Sequence, residues 1–100
     1  MDRCEVLPDK IDILGIQYDI EEVEAVSKDQ LLYGQIQFFE GKILIDATMS
    51  DDKKKQTLIH EAIHGICDGL ALEELNNNES AIQGLASAIY STFKGTTIFS

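Results

Sequence analysis

Basic residues are scarce: 8 Lys plus Arg stand against 18 Asp plus Glu, a formal net charge of −10. Phosphate backbones repel so acidic a chain, which argues against direct binding of DNA or RNA. The one basic run, Lys53-Lys54-Lys55, follows Asp51-Asp52 and reads as a solvated first helical turn. Cysteine is scarcer still. Cys4 and Cys67 are too few and too far apart for a disulfide framework or a Cys-x-x-Cys zinc site. No apolar run approaches the roughly 20 residues of a membrane span. The opening MDRCEVLPDK lacks the apolar stretch of a signal peptide. Together these absences predict a cytoplasmic protein with reduced thiols. Histidine occurs twice only, as His60 and His64.

What is present fits one small domain spanning residues 1–100, with 44% hydrophobic and 26% charged residues as in ordinary globular chains. No repeat or low-complexity linker divides it. Residues 1–9 form an irregular lead-in closed by Pro8-Asp9. KIDILGIQYDI is rich in Ile, alternates imperfectly and reads as a strand. EEVEAVSKDQ is a loop or a short helical turn. LLYGQIQFFEGKILID places β-prone runs at 32–39 and 42–46 around Glu40-Gly41-Lys42, a hairpin signal with Gly41 at a positive-φ position.

Ser50 is a good N-cap, and Asp51 and Asp52 complement the positive end of a helix dipole. The helix is predicted over 51–68, with Leu58, Ile59, Ala62, Ile63 and Ile66 as its core stripe and Gly69 as its stop. Asn77 or Asn78 caps a second helix over 79–93, with Ile82, Leu85, Ala86, Ile89 and Phe93 buried and Gly95 at its end. Strands first and helices after predict an α+β domain. It holds a small antiparallel sheet of about three strands.

The first helix carries His60-Glu61-x-x-His64 at the edge of its core stripe. Side chains four apart stand one turn above each other, about 5–6 Å apart at Cβ. Two imidazoles so placed converge on one metal, and Glu61 projects beside them as a general base. The competing reading is a pair of surface histidines that happen to spell the motif. A catalytic zinc takes three protein ligands and leaves one position open. A histidine six residues after His64 would complete a metzincin pattern, but Leu70 stands there. Glu73, Glu74 and Glu79 are the acidic candidates. Glu73 and Glu74 lie in the connection and are expected in solvent. Glu79 opens the second helix on its packed side and is the favoured ligand; alternatively it only complements the dipole. Asp68, one turn past His64, orients that ring or is an exposed helix-end acid. Cys67 is expected in the core, and so is Tyr90.

YGQIQFFEGKILIDATMSDDKKKQTLIHEAIHGI followed by NNNESAIQGLASAIYSTF resembles the short zinc metallopeptidase domains of the ImmA/IrrE type, found in phages and mobile elements. The resemblance covers roughly residues 10–94. It implies a minimal gluzincin with Zn²⁺ on His60, His64 and Glu79, and Glu61 as base. The usual glycine before the second histidine is Ile63 here, with Gly65 after it. Two functions follow as expectations. One is a zinc endopeptidase that cuts a protein partner, by resemblance a transcriptional repressor, bound along an exposed strand edge at 42–46 or its neighbour. The other is a catalytically silent module of the same fold that docks on a host or phage protein.

Overall fold

A computed structural model describes residues 7–24 and 33–95. The predicted lead-in over 1–6, Cys4, most of the 21–30 connection and the 96–100 tail lie outside the described residues.

The chain is α+β, with four strands where about three were expected. KIDILGIQYDI is a hairpin rather than one strand: β1 (Lys10–Ile13) turns back into β2 (Ile16–Val23). Leu14 and Gly15 both take positive φ, 51° and 87°, as a two-residue hairpin turn demands. Asp12 Oδ1 accepts the Gly15 N–H at 2.7 Å. The second hairpin forms as predicted, with β4 (Lys42–Asp46) at the expected bounds and Gly41 at φ 68°, but β3 (Gly34–Gln37) stops short of the predicted 39, because Phe38 and Phe39 belong to the turn.

The sheet order is β1-β2-β4-β3. β2 and β4 run parallel, with Ile20 beside Ile43 and Glu22 beside Ile45, so the sheet is mixed rather than antiparallel throughout. β4 is therefore interior and β3 an edge.

Helix α1 (Asp51–Gly69) starts as predicted, with Ser50 Oγ accepting the Lys53 N–H at 3.3 Å. It lies on the sheet and adds Leu58 to a core of Leu7, Ile13, Tyr18, Ile43 and Ile45. Lys54 reaches Glu22 of β2 at 2.7 Å. At its far end Leu72 N–H returns to Cys67 C=O and Ala71 N–H to Asp68 C=O. This 6→1 and 5→2 pair is a Schellman closure. The left-handed residue in it is Ala71, φ 57°, not Gly69.

The short helix α2 (Glu73–Asn76) leads to α3 (Glu79–Phe93), capped by Asn78, whose Oδ1 accepts the Ala81 N–H. α3 packs against α1 and α2 and not against the sheet. A second, smaller core of Ile63, Cys67, Ile82 and Ala86 joins it to α1. Cys67 is buried as expected. Ile66, Leu85, Ile89 and Phe93 were expected inside but are 37–42% exposed. A helix covered by one neighbour buries only a narrow stripe, here Ile82 and Ala86. Tyr90 is half-buried, and its hydroxyl donates to Asp52 at the start of α1. No helix among the described residues is long and apolar enough to cross a membrane.

Candidate metal centre

The site follows from how α1 is shared between two neighbours. At 100° per residue, Thr57, Glu61 and Gly65 form one row and Ile63 and Cys67 another. The first row meets the sheet at β3. A Cβ on Gly34 would lie 2.6 Å from Thr57 Cγ2, and one on Gly65 would lie 3.1 Å from Ile36 Cδ1. The second row packs on α3. His60 and His64 lie between the rows, at the floor of a cleft of about 550 Å³ between the β3 edge and the α2–α3 segment.

Glu79 reaches over that floor from the first turn of α3. Its Oε1 is 3.0 Å from His60 Nε2 and its Oε2 is 2.9 Å from His64 Nε2. The two imidazole centroids are 5.1 Å apart. One ligand atom from each residue falls within a 4.8 Å group. Zinc bonds of about 2.0–2.1 Å in a tetrahedral site set neighbouring ligand atoms about 3.3 Å apart, so the two histidine–glutamate distances are close to those of a ligated site, while the group as a whole, within 4.8 Å, must draw in to bind an ion. The predicted ligands His60, His64 and Glu79 are thus brought together, and the group could hold a metal ion. Glu73 and Glu74 are exposed on α2, as expected.

The hydrogen bonds around the rings point the same way. His60 Nδ1 faces Gln83 Oε1 at 2.8 Å, and His64 Nδ1 faces Asn76 Oδ1 at 2.5 Å. An amide oxygen only accepts, so each Nδ1 carries the proton, and a neutral ring then has its lone pair on Nε2. Both Nε2 lone pairs consequently face carboxylate oxygens. Either a second proton on the ring or a cation held between ring and carboxylate satisfies each of these contacts.

Glu61 is 9% exposed and turned towards β3. Burial pushes its carboxyl above the ordinary carboxylate range, with the Glu79 charge adding to the rise. The Ile36 N–H, which donates to it, pulls in the other direction, as does His60 or His64 whenever the ring is protonated. A buried carboxylate whose affinity for a proton is raised suits a general base.

Asp68 is exposed, and the partner of His64 is Asn76 instead. The sequence reading missed both Asn76 and Gln83. Gln83 had a signal, since it lies one turn after Glu79 on the same face of α3. Asn76 had none, because its position depends on the Ala71 closure.

β3 supplies the open edge. Tyr33 C=O accepts the Asp46 N–H at 2.9 Å. Pairs alternate along an antiparallel ladder, so Gly34 and Ile36 direct their backbone groups away from β4 and into the cleft. No protein-family model matches the chain, and neither does any curated protein or solved structure.

Proposed function

We infer that the chain is a zinc-dependent endopeptidase of gluzincin type, acting on an extended segment of a protein partner. The observation that carries this reading is one cleft shared by three elements. They are the His60–His64–Glu79 group, the buried Glu61, and the outward backbone of Gly34 and Ile36. A structural zinc site usually has four protein ligands and needs no base. Among the described residues the cluster has three, and Glu61 stands next to them.

When bound, zinc polarises a carbonyl and lowers the pKa of a coordinated water towards about 7. His60, His64 and Glu79 would hold the ion. The N–H and C=O of Gly34 and the C=O of Ile36 pair with the backbone of an added strand, the Ile36 N–H being held by Glu61, and this orients the scissile bond over the cleft floor. Glu61 accepts a proton from the attacking water and returns it to the departing amine. By the ImmA/IrrE resemblance, a regulator such as a transcriptional repressor of a mobile element is the partner to try first. The acidic surface, −10 in net charge, fits a protein partner better than a nucleic acid.

The test is cleavage of an internally quenched peptide library by the zinc-loaded chain, wild type beside Glu61→Gln. Wild type should cut, and the variant should keep its zinc while losing on the order of 10²–10⁴ in rate. Equal turnover by the two proteins would remove the mechanism. Zinc retained with no cleavage by either would favour the docking module.

A further inference from the structure

Gln83 and Asn76 touch the ring nitrogens that face away from Glu79. The amide nitrogen of Gln83 is turned to Ser87 Oγ at 3.4 Å, so its oxygen is the atom that His60 meets. Ser87 Oγ in turn donates to Gln56 Oε1 at 3.4 Å. The chain His60–Gln83–Ser87–Gln56 therefore begins and ends on α1 and fixes Gln83 from both sides. Asn76 is held differently: it is the last residue of α2, and its backbone N–H bonds to Leu72 C=O at 2.9 Å.

We propose that Gln83 and Asn76 are positioning residues that lock His60 and His64 in the Nδ1–H tautomer, so that both Nε2 lone pairs face Glu79 before an ion arrives. This rests on the metal reading above. Gln83 shares α3 with Glu79, so ligand and orienting residue move as one piece. Both orienting groups are neutral. Carboxylates in this role make an imidazole more basic and tighten metal binding. An amide fixes the ring without adding charge, and two neutral rings with one carboxylate leave a divalent ion one net positive charge. The amides thus favour an exposed positive centre over the tightest grip.

Two measurements on the full chain test this. The first is ¹⁵N NMR of the imidazoles in metal-free protein, at a pH where the rings are neutral. Both rings should carry the proton on Nδ1, opposite to the preference of a free histidine side chain. Gln83→Met should release His60 alone, and Asn76→Leu should release His64 alone. The second is zinc affinity by competition with a chromophoric chelator. Each of those variants should bind about 10–100-fold more weakly, whereas Gln83→Glu and Asn76→Asp should bind at least as tightly as wild type.

Wild-type rings protonated on Nε2, or unchanged affinity in the Met and Leu variants, would overturn the proposal. Should either of those variants fail to fold, the Glu and Asp variants decide, and weakened zinc binding in them overturns it. A wild-type chain that takes up no zinc would defeat the metal reading instead, and the tautomer measurement would then judge the positioning role by itself.

Discussion

Glu79 Oε2 stands 2.9 Å from His64 Nε2, and this pairing joins a helix that does not pack on the sheet to one that lies across it. Apart from polar contacts, α3 is held to α1 by the small cluster of Ile63, Cys67, Ile82 and Ala86. An ion on His60, His64 and Glu79 would therefore stitch α3 in place. Zinc at 100 times its Kd should raise stability by about 2.7 kcal/mol and slow amide exchange in α3 more than in the strands. Glu79→Gln should abolish both effects. A zinc-dependent rise in Tm that survives the substitution would sink the assignment of Glu79.

Glu61 should cost the metal-free protein stability at neutral pH. Burial raises its folded pKa above the unfolded value of about 4.3. Between the two values the folded state holds more protons than the unfolded one, so stability falls as pH rises through the folded pKa. Metal-free Glu61→Gln should be more stable than wild type at pH 7, and the difference should shrink on acidification below the unfolded pKa. Thermal melts across that range check the sign; a gap that widens towards low pH would contradict it.

Gly34 should not tolerate a side chain. Its Cβ would stand 2.6 Å from Thr57 Cγ2 and 3.3 Å from Glu61 Cγ and Leu44 O. Gly34→Ala should cost about 1–3 kcal/mol, as overpacking does, in urea unfolding. Thr57→Ser removes the obstructing methyl and should recover part of that loss. No recovery in the double variant would mean that the strain lies elsewhere.

Ala71 is the opposite case. It occupies the left-handed position of the Schellman closure at φ 57°, where glycine is usual. A non-glycine residue there costs about 1 kcal/mol. Ala71→Gly should therefore raise Tm by on the order of 4–8 °C for a domain of this size. A lowered Tm would show that restricting the unfolded chain matters more here than the turn.

The parts of the fold set by neighbouring residues were legible in the sequence. Ser50 and Asn78 mark the helix starts through their own side chains, and Gly41 marks the second hairpin by its φ. Leu14-Gly15 hid the first hairpin because leucine rarely takes a positive φ, and the Asn-Gly signal is missing. The parallel pairing of β2 with β4 has no local signature at all. His60, His64 and Glu79 could be singled out as one group because metal-ligand chemistry restricts the residue types. Glu61 and Thr57 were not foreseen as buried, since their burial depends on how closely α1 approaches β3. Leu85, Ile89 and Phe93 misled in the other direction: helical spacing states which face is apolar, but not how many neighbours cover it.

The two walls of the cleft hang from different faces of α1, and β3 and α3 do not pack on each other. Each wall therefore packs on α1 and not on the other. Under the proposed reading, β3 bears on the bound segment and α3 on the ion, while Gly34 and Ile36, which touch α1, bear on both. If the peptidase proposal holds, a laboratory selection for a new substrate would do best to randomise Gln35, Gln37 and the β3–β4 turn while holding Gly34, Ile36, α1 and α3 constant.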